Sequence, residues 1–306
     1  MLENKIIGVD HGNAKIKTHT GFQCDAGFTI FNDEPITTKS LLNYNSKYYS
    51  IGSERLPIKF DKTEDENFFI LTLAAIAEAL GKKEEEIINK SLILSVGLPI
   101  VNYGKLKDKF RNYFIRQGIE FNYERSNYRI DINDCLVFPQ SYSALLLRFA
   151  DYKNLPLCNV VDIGGGTTDI FTVENGILNT SSCFSLPLGV VHLYNLIMQQ
   201  GVAQGYRLTD AQVQQMIIGK QPNFEDQGLY HIVKTTTEQF VEKLISQISE
   251  HGFEMRLNPT VFVGGGSILL KTYIEQCKIG YVEVIQDTFA NAKGFEMLAK
   301  QKLLKG

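Results

Sequence analysis

One short pattern occurs twice in this chain and constrains the fold more than any other feature. In each copy an apolar run leads into Asp-x-Gly, a tight turn follows, and an alternating run comes next. The first copy spans residues 6–18 with its turn at residues 11–14, and the second spans residues 159–173 with its turn at residues 164–166. Glycine and asparagine readily adopt the left-handed conformations of such turns, so each copy predicts a β-hairpin. The copies lie roughly 150 residues apart, about one domain length, which predicts two domains of related topology.

Strands and helices alternate through the rest of the chain. Helical periodicity predicts helices over residues 68–80, 105–117, 188–200, 209–217 and 224–251, from Pro139 or Gln140 to about residue 150, and from Ile268 and Ala290 onward. Short apolar or alternating runs predict strands over residues 91–96, 119–123, 128–132, 136–138, 259–263 and 282–285. This alternation indicates an α/β protein built on central sheets.

The two turns have the composition of phosphate-binding loops. Backbone N–H groups of a glycine-rich turn can point at a polyphosphate without side chains in the way. An isolated Asp-x-Gly turn such as that at Gly12 and Asn13 is equally consistent with an ordinary hairpin. The second turn is more specific, because three consecutive glycines flanked by hydroxyls and carboxylates restrict the chain at an entropic cost. Its candidate nucleotide-binding residues are Gly164, Gly165, Gly166, Thr167 and Thr168.

Charged residues beside the turns have roles that fit a phosphate site. Asp10 and Asp162 end the first strand of each hairpin. Magnesium prefers oxygen ligands and keeps several of its waters, so we expect both carboxylates to hold a hydrated Mg²⁺ through water. Lys15 and Lys17 share a strand face, and we expect Lys17 to approach the phosphates and Lys15 to be solvated.

A third glycine run, at Gly264, Gly265, Gly266 and Ser267, follows a predicted strand and precedes a predicted helix. Its backbone could closely approach a flat base or a ribose, with the helix N-terminus near phosphate. On its own this run would be interpreted as a structural turn. Beside the two hairpins, it is a candidate nucleoside-binding segment.

The composition excludes several classes of function. The formal net charge of the 306 residues is −3, which gives no general attraction to nucleic acid or anionic membranes. No apolar run is long enough to span a bilayer, and the first residues lack a secretory apolar region. The five cysteines are widely spaced without a Cys-x-x-Cys pair, which argues against a disulfide framework or a cysteine metal site. We therefore expect a cytoplasmic protein.

Together these elements resemble the superfamily of actin, sugar kinases and seventy-kilodalton heat-shock chaperones. Asp10, Gly12 and Lys17 match its first phosphate motif, residues 162–168 the second and residues 264–266 the adenosine motif. Residues 138–141 and 290–294 are similar to its two connecting helices. The resemblance implies a two-domain actin-like fold, a duplicated RNase H-like fold with central mixed sheets and a nucleotide cleft between the domains. We expect domain I at 1–155, completed by 288–306, and domain II at 156–287.

The resemblance also implies roles for particular residues. ATP or GTP would be the nucleotide and Mg²⁺ the metal ion, with Asp10, Asp162 and Gln140 as the catalytic residues. Gln140 takes the place of a glutamate in one branch of the superfamily and could orient the attacking water, although an amide is a very poor base. Gly189 would approach the ribose and Glu238 the base.

Within the superfamily, the chain is similar to the ParM/StbA-type plasmid-segregation actins. Gly97-Leu98-Pro99 followed by Tyr103, the segment 48–52, and the segment 289–294 carry this similarity. It implies an ATPase that assembles into dynamic homopolymeric filaments and contacts plasmid DNA through a DNA-binding adaptor protein. Direct binding to nucleic acid or to a membrane is not expected.

Other functions remain open at this stage. A small-molecule kinase of the same superfamily would need an acid that deprotonates a substrate hydroxyl, and a nucleotide-regulated structural filament would bind nucleotide with little hydrolysis. A chaperone would need a substrate domain, a membrane-attached relative an amphipathic anchor, and a dehydratase activator cysteines for an iron–sulfur cluster. None of these last three features is evident in the sequence.

Overall fold

The structure is a computed structural model that describes residues 5–36, 39–83, 86–220 and 227–305. The chain divides into two compact units. Unit 1 comprises Met1–Leu147 and Phe289–Gly306, and unit 2 comprises Arg148–Thr288.

The strands of the described residues form two mixed sheets, one in each unit. In chain order they are β1 (Lys5–His11), β2 (Lys15–Thr18), β3 (Gln23–Asp25), β4 (Gly27–Phe31), β5 (Leu41–Tyr44), β6 (Lys47–Arg55), β7 (Ile87–Leu98), β8 (Arg116–Tyr123), β9 (Ser126–Pro139), β10 (Cys158–Ile163), β11 (Thr168–Glu174), β12 (Ile177–Leu186), β13 (Thr260–Val263) and β14 (Val282–Val284). The nine strands of unit 1 have the order β3-β2-β1-β7-β9-β8-β5-β6-β4, and the five of unit 2 the order β12-β11-β10-β13-β14.

The helices pack on these sheets. In chain order the described ones are α1 (Asn67–Leu80), α2 (Ile100–Phe114), α3 (Tyr142–Leu146), α4 (Phe149–Tyr152), α5 (Val190–Ala203), α6 (Asp210–Ile217), α7 (Gln227–Glu250), α8 (Gly264–Leu269), α9 (Lys271–Gln276) and α10 (Ala290–Lys305). No helix within the described ranges is both long and apolar enough to cross a membrane.

The two units repeat one strand arrangement. β1 pairs antiparallel with β2 and parallel with β7, while β10 pairs antiparallel with β11 and parallel with β13. In each sheet a central strand, β1 or β10, has two antiparallel strands on one side and parallel strands on the other. The two hairpins predicted from the sequence are both confirmed, and they occupy equivalent places in the two sheets.

The C-terminal helix α10 belongs to unit 1 because small residues let it approach the sheet closely. A Cβ atom on Gly8 of β1 would lie 2.3 Å from the carbonyl oxygen of Ala292. A Cβ atom on Gly97 of β7 would lie 2.0 Å from the ring of Phe295, which is fully buried. The hydroxyl of Ser95 donates to the carbonyl of Phe295 at 2.6 Å and ties the helix to β7.

Several predicted elements are confirmed with altered ends. Helix α1 ends at Leu80, and Gly81 caps it with a φ of 84°. Thr209 caps α6 in a capping box with Gln212. Helix α2 begins directly after Pro99, earlier than predicted, and gives way to β8 at Arg116. The predicted start of α7 at residues 224–226 lies outside the described residues.

The predicted helix beginning at Pro139 or Gln140 is wrong at its start. Pro139 is the last residue of β9 and pairs with Leu98 of the parallel strand β7, and the backbone N–H of Gln140 donates to the Leu98 carbonyl. The next helix, α3, begins only at Tyr142 and ends at Leu146. Pairing with β7 extends the strand to Pro139, one residue beyond the predicted end at residue 138.

The third glycine run is also different from its prediction. Gly264, Gly265 and Gly266 are not a turn before a helix that starts at Ile268, because they form the first turn of α8 itself. Gly264 has a φ of 88°, and its missing side chain lets the helix start immediately after β13.

Candidate functional site

The first hairpin places Asp10 one residue before the end of β1, where it is buried and directly opposite Lys17 of β2. Opposite residues of an antiparallel pair share a face of the sheet. The side-chain amide of Gln140 donates from Nε2 to Oδ1 of Asp10 at 2.8 Å. Because an ionised carboxylate only accepts hydrogen bonds, this contact fixes the amide with its nitrogen toward Asp10. The structure thus brings two of the three predicted catalytic residues together within unit 1.

The two lysines of β2 differ in their contacts. The ammonium of Lys15 is bonded to Oδ1 of Asp25 on β3 at 2.7 Å. Lys17 is half-buried, and its ammonium has no hydrogen-bond or ion-pair partner among the described residues. The geometry therefore leaves Lys17 as the lysine that could meet an anion.

A neighbouring loop holds the turn of the first hairpin. The ammonium of Lys62, a buried residue, donates to the carbonyl of His11, and the backbone N–H of Lys59 donates to Oδ1 of Asn13 at 3.3 Å. The backbone N–H groups of Gly12, Asn13 and Ala14 donate to no group in the described part of the chain.

His11, next to Asp10, is a core residue. Its ring stacks on Phe114 with the ring centroids 5.0 Å apart. Nε2 lies 2.7 Å from Oγ1 of Thr72, whose own hydrogen is donated to the Phe68 carbonyl, so Nε2 carries the hydrogen of a neutral imidazole. Burial, with a smaller contribution from the charge of Lys62, lowers the pKa of His11 to about 3. His11 therefore stays neutral and supports the hairpin through packing.

The second hairpin places Asp162 at the corresponding position, opposite Asp169 of β11. The N–H of Gly164 donates to the carbonyl of Thr167 at 2.8 Å and closes the turn. The N–H groups of Gly165, Gly166 and Thr167 donate to no group within the described ranges. Two carboxylates on one face beside free N–H donors form a site that could accept both a cation and an anion.

Gly189 supports this turn from the start of α5. The N–H groups of Val190 and Val191 donate to the carbonyls of Gly164 and Gly165, each at 3.0 Å. A Cβ atom on Gly189 would lie 2.3 Å from the carbonyl oxygen of Gly165, so only glycine fits here. Gly189 is buried and contacts the turn of the second hairpin.

The glycine run of α8 lies against the end of β10. A Cβ atom on Gly264 would lie 2.1 Å from Oδ1 of Asp162, and one on Gly266 would lie 2.6 Å from the carbonyl oxygen of Ile163. The structure therefore brings the second and third glycine motifs into direct contact within unit 2. Gly265 is half-buried between these two close approaches.

Two predicted nucleotide-binding side chains point into the core. The hydroxyl of Thr168 donates to the Leu188 carbonyl, and the hydroxyl of Ser267 donates to the Val263 carbonyl. Both residues are fully buried. The hydroxyl of Thr167, by contrast, belongs to a half-buried residue and donates to Asp169 at 3.3 Å.

Glu238 lies on α7, which packs on α9, and is half-buried. Its nearest charged partner is Lys234 one turn earlier, at 3.9 Å. Burial raises the pKa of Tyr273 on α9, and the charge of Glu238 adds to that shift. Glu238 therefore lies near α9, the helix that follows α8 and its glycine run in the chain.

Gln140 precedes a strained residue. Ser141 has a φ of 66° and a ψ of −49°, and the N–H of Tyr142 donates to the carbonyl of Gln140 at 2.6 Å. These values define a γ-turn with positive φ, a rare conformation for a residue with a side chain. Backbone strain of this kind costs on the order of 1–3 kcal/mol and persists only where surrounding contacts hold it. Oδ1 of Asn291 on α10 accepts from the N–H of Ser141 at 2.8 Å.

The residues present fit a nucleotide phosphate and a hydrated magnesium ion. Each turn has N–H groups without internal partners beside an aspartate, and the two aspartates face Lys17 and Asp169 respectively. Carboxylate oxygens match the preference of Mg²⁺ for oxygen ligands, and N–H groups match phosphate oxygens. Asp10 and Asp162 belong to different units, and each fits such a role within its own hairpin.

Sequence reasoning gave no individual role to three residues that shape these sites. Lys62 and Asn291, the latter inside the segment 290–294 that resembles a connecting helix, act through contacts distant in sequence, and no local pattern indicates these contacts. The sequence did contain a signal for Asp169, because it lies in the alternating run after the second turn. The structure pairs it with Asp162, so the two carboxylates share a face of the sheet.

Comparisons with known families agree with this architecture. A model of the N-terminal domain of actin-like proteins matches residues 30–142, and a model of the C-terminal domain of archaeal, MreB-like actin homologues matches residues 160–276. One match falls within each unit. The chain is therefore an actin-like protein, and the predicted two-domain actin-like α/β fold with mixed sheets is confirmed. No curated protein sequence matches the chain.

Solved structures with this fold include bacterial and archaeal actin homologues. A 15-stranded ParM filament from Clostridium botulinum aligns with a TM-score of 0.78 at 16% identity, covering 97% of this chain and 99% of that one. The archaeal actin homologue Ta0583 in complex with ADP aligns with a TM-score of 0.76 at 17% identity, with the same two coverages. The Alp12 filament aligns with a TM-score of 0.69 at 20% identity, covering 98% and 99%.

Proposed function

We propose that this chain is an ATPase that binds ATP or GTP with Mg²⁺ and assembles into dynamic filaments. One observation carries the proposal: two glycine-containing turns at equivalent places in two related sheets each combine free N–H donors with an adjacent aspartate. A structural hairpin does not need this combination twice. The similar Ta0583 structure contains ADP, and the similar ParM and Alp12 structures are filaments.

The predicted residues of the two hairpins take defined roles in this proposal. The N–H groups of the two turns donate to phosphate oxygens, and Lys17 adds a positive charge beside Asp10. Asp10 and Asp162 accept hydrogen bonds from waters of the magnesium ion, which neutralises charge on the phosphates when bound. We further propose that units 1 and 2 correspond to domains I and II of the actin-like fold, with α10 completing domain I.

Gln140 supports hydrolysis as an orienting group. Its Nε2 is occupied by Asp10, while its Oε1 accepts no hydrogen bond from the described residues. An amide oxygen held in this way can accept a hydrogen bond from a water molecule and so orient it, although it cannot take the proton as a base. Phosphoryl transfer depends mainly on positioning and charge stabilisation, so an amide is adequate for this role.

The same feature favours a second candidate function. With an amide instead of a carboxylate beside the water, the chain could bind nucleotide and form filaments while hydrolysing it very slowly. A small-molecule kinase is a less supported alternative, because no second acid shares a hydrogen bond with the Asp10–Gln140 pair among the described residues. Segregation of plasmid DNA through an adaptor rests on the ParM-like sequence features alone.

Light scattering and pelleting with ATP, GTP and non-hydrolysable analogues, run alongside phosphate release, test the proposal. We expect polymer with at least one nucleotide, followed by phosphate release and loss of polymer. Gln140→Ala should slow phosphate release by about a hundredfold while polymer still forms. Gln117→Ala is the matched control, because the side chain of Gln117 bonds Asn133 on the surface of the same unit and no other described residue.

The outcomes separate the candidates. Polymer that persists without phosphate release indicates the structural filament. The absence of pelletable polymer with every nucleotide over a wide protein concentration range contradicts the filament proposal. Equal phosphate release by wild type and Gln140→Ala removes Gln140 from the reaction.

A further inference from the structure

The backbone on both sides of Gln140 is held by hydrogen bonds. Its own N–H donates to the Leu98 carbonyl at 2.8 Å, which orients the peptide that precedes it. The peptide that follows it is oriented by the N–H of Ser141, which donates to Oδ1 of Asn291 at 2.8 Å. These two peptide planes fix the direction of the Cα–Cβ bond of Gln140 and therefore the region its side chain can reach.

The second of these bonds holds a conformation that the sequence does not favour. Ser141 has a φ of 66°, in a region that favours glycine, and sits at the centre of the γ-turn closed by the carbonyl of Gln140. Ser141 is nearly fully buried. A strained residue at a functional site persists when surrounding contacts hold it, and the side-chain oxygen Oδ1 of Asn291 supplies one such contact.

We propose that Asn291 is a positioning residue for Gln140. By accepting the N–H of Ser141, Asn291 holds the strained turn that directs the amide of Gln140 toward Oδ1 of Asp10. This inference rests on the proposed function, because the value of an oriented Gln140 lies in water orientation during hydrolysis. It assigns to the start of the C-terminal helix α10 a role in the reaction besides its packing on the sheet.

The chain offers a close control for this proposal. Ser95 also makes one hydrogen bond between the sheet of unit 1 and α10, from its hydroxyl to the Phe295 carbonyl at 2.6 Å. Asn291→Ala and Ser95→Ala therefore each remove one hydrogen bond that attaches α10 to the rest of unit 1. Only the first bond touches the turn at Ser141. Asn291→Asp keeps an acceptor oxygen for the Ser141 N–H and adds a charge that is favourable in the first turn of a helix.

The first measurement does not depend on nucleotide. Solvent exchange of the side-chain NH₂ of Gln140 is followed by NMR in the full chain, with the signal assigned by its loss in Gln140→Ala. The bond to Asp10 should protect this group. We expect exchange to rise by about tenfold in Asn291→Ala, and to stay near the wild-type rate in Asn291→Asp and Ser95→Ala.

The second measurement is single-turnover phosphate release at saturating nucleotide, with the nucleotide Kd measured in parallel. Loss of orientation should lower the rate in Asn291→Ala by roughly tenfold and change the Kd by less than about threefold. Asn291→Asp should recover most of the rate. A purely structural role of Asn291 would lower the phosphate-release rate equally in Asn291→Ala and Ser95→Ala, and that result overturns the proposal.

Further outcomes are also decisive. Unchanged exchange of the Gln140 amide in Asn291→Ala overturns the proposal whatever the hydrolysis rate. If wild type hydrolyses neither ATP nor GTP, the proposed function fails, while the exchange measurement still decides whether Asn291 positions Gln140. If Asn291→Ala fails to fold, Asn291→Leu and Asn291→Asp are compared, and equal amide exchange in both overturns the proposal.

Discussion

The two hairpins occupy the same place in the same strand order, yet they present opposite chemistry. Asp10 faces Lys17 across the first hairpin, whereas Asp162 faces Asp169 across the second. Opposite charges on facing residues stabilise a hairpin, and like charges destabilise it unless a cation or hydrogen bonds compensate. The first hairpin is therefore suited to an anion beside a carboxylate, and the second to a cation beside N–H donors.

The two turns are also held by different means. Hydrogen bonds from a neighbouring loop support the first turn. The Lys62 ammonium donates to the His11 carbonyl, and the Lys59 N–H donates to Oδ1 of Asn13. Backbone supports the second turn at distances that only glycine permits, at Gly189 and Gly264. Substitution at the first turn should therefore have graded effects, whereas substitution of the second turn's glycine neighbours should be severe.

Gly264→Ala tests the severe case and should have the largest effect. Its Cβ would meet Oδ1 of Asp162 at 2.1 Å, while Gly205→Ala introduces a Cβ into open space at nearly the same φ, 87° against 88°. By urea unfolding we expect a loss of about 1 kcal/mol in Gly205→Ala from backbone strain alone. Gly264→Ala should lose about 3 kcal/mol or more, because the contact with Asp162 adds to that strain. Equal losses of unfolding free energy in the two variants would show that the close approach of Gly264 to Asp162 does not restrict this position to glycine.

Lys62→Met tests the graded case. Removing the ammonium leaves the His11 carbonyl without its buried donor, and a hydrogen bond to a charged group contributes about 2 kcal/mol. Lys59→Met is the control from the same loop, because it removes surface ion pairs but keeps the backbone bond to Asn13. We expect the larger loss of unfolding free energy in Lys62→Met, together with faster amide exchange in residues 12–14. Equal exchange in the two variants would show that the loop does not hold the turn.

Lys17→Met and Lys15→Met sharpen the charge contrast and should have the smallest effects. Lys15 is bonded to Asp25 on the surface, so its loss should leave nucleotide affinity unchanged. Loss of Lys17 should raise the nucleotide Kd by about tenfold through one missing phosphate contact. Isothermal titration measures both, and a greater effect from Lys15 would reverse the assignment.

Local sequence patterns predicted the hairpins because a turn and its two strands lie within a few residues of each other. The order of the turn glycines and the alternation after Thr168 were sufficient to predict strands β10 and β11. The extension of β9 through Pro139 was not predictable in this way, because pairing with the distant strand β7 decides it. The helical start of the glycine run at Gly264 depends similarly on its contact with Asp162.

The site was predictable in its residue types more than in its contacts. Asp10 and Gln140 do lie together, as do the second and third glycine motifs. The hydroxyls of Thr168 and Ser267 instead bond backbone carbonyls in the core, which their flanking sequence does not reveal. Lys62 and Asn291 reach the site from far along the chain, so only the folded structure identifies their contacts.

The central claim of the proposed function is that each hairpin takes part in magnesium-dependent binding of a nucleotide. Isothermal titration of ATP and GTP, with and without Mg²⁺, tests it in wild type, Asp10→Asn and Asp162→Asn. We predict tight binding of at least one nucleotide that requires Mg²⁺, weakened by about tenfold or more in each variant. Binding that is absent in wild type, or unchanged in both variants, would contradict the account.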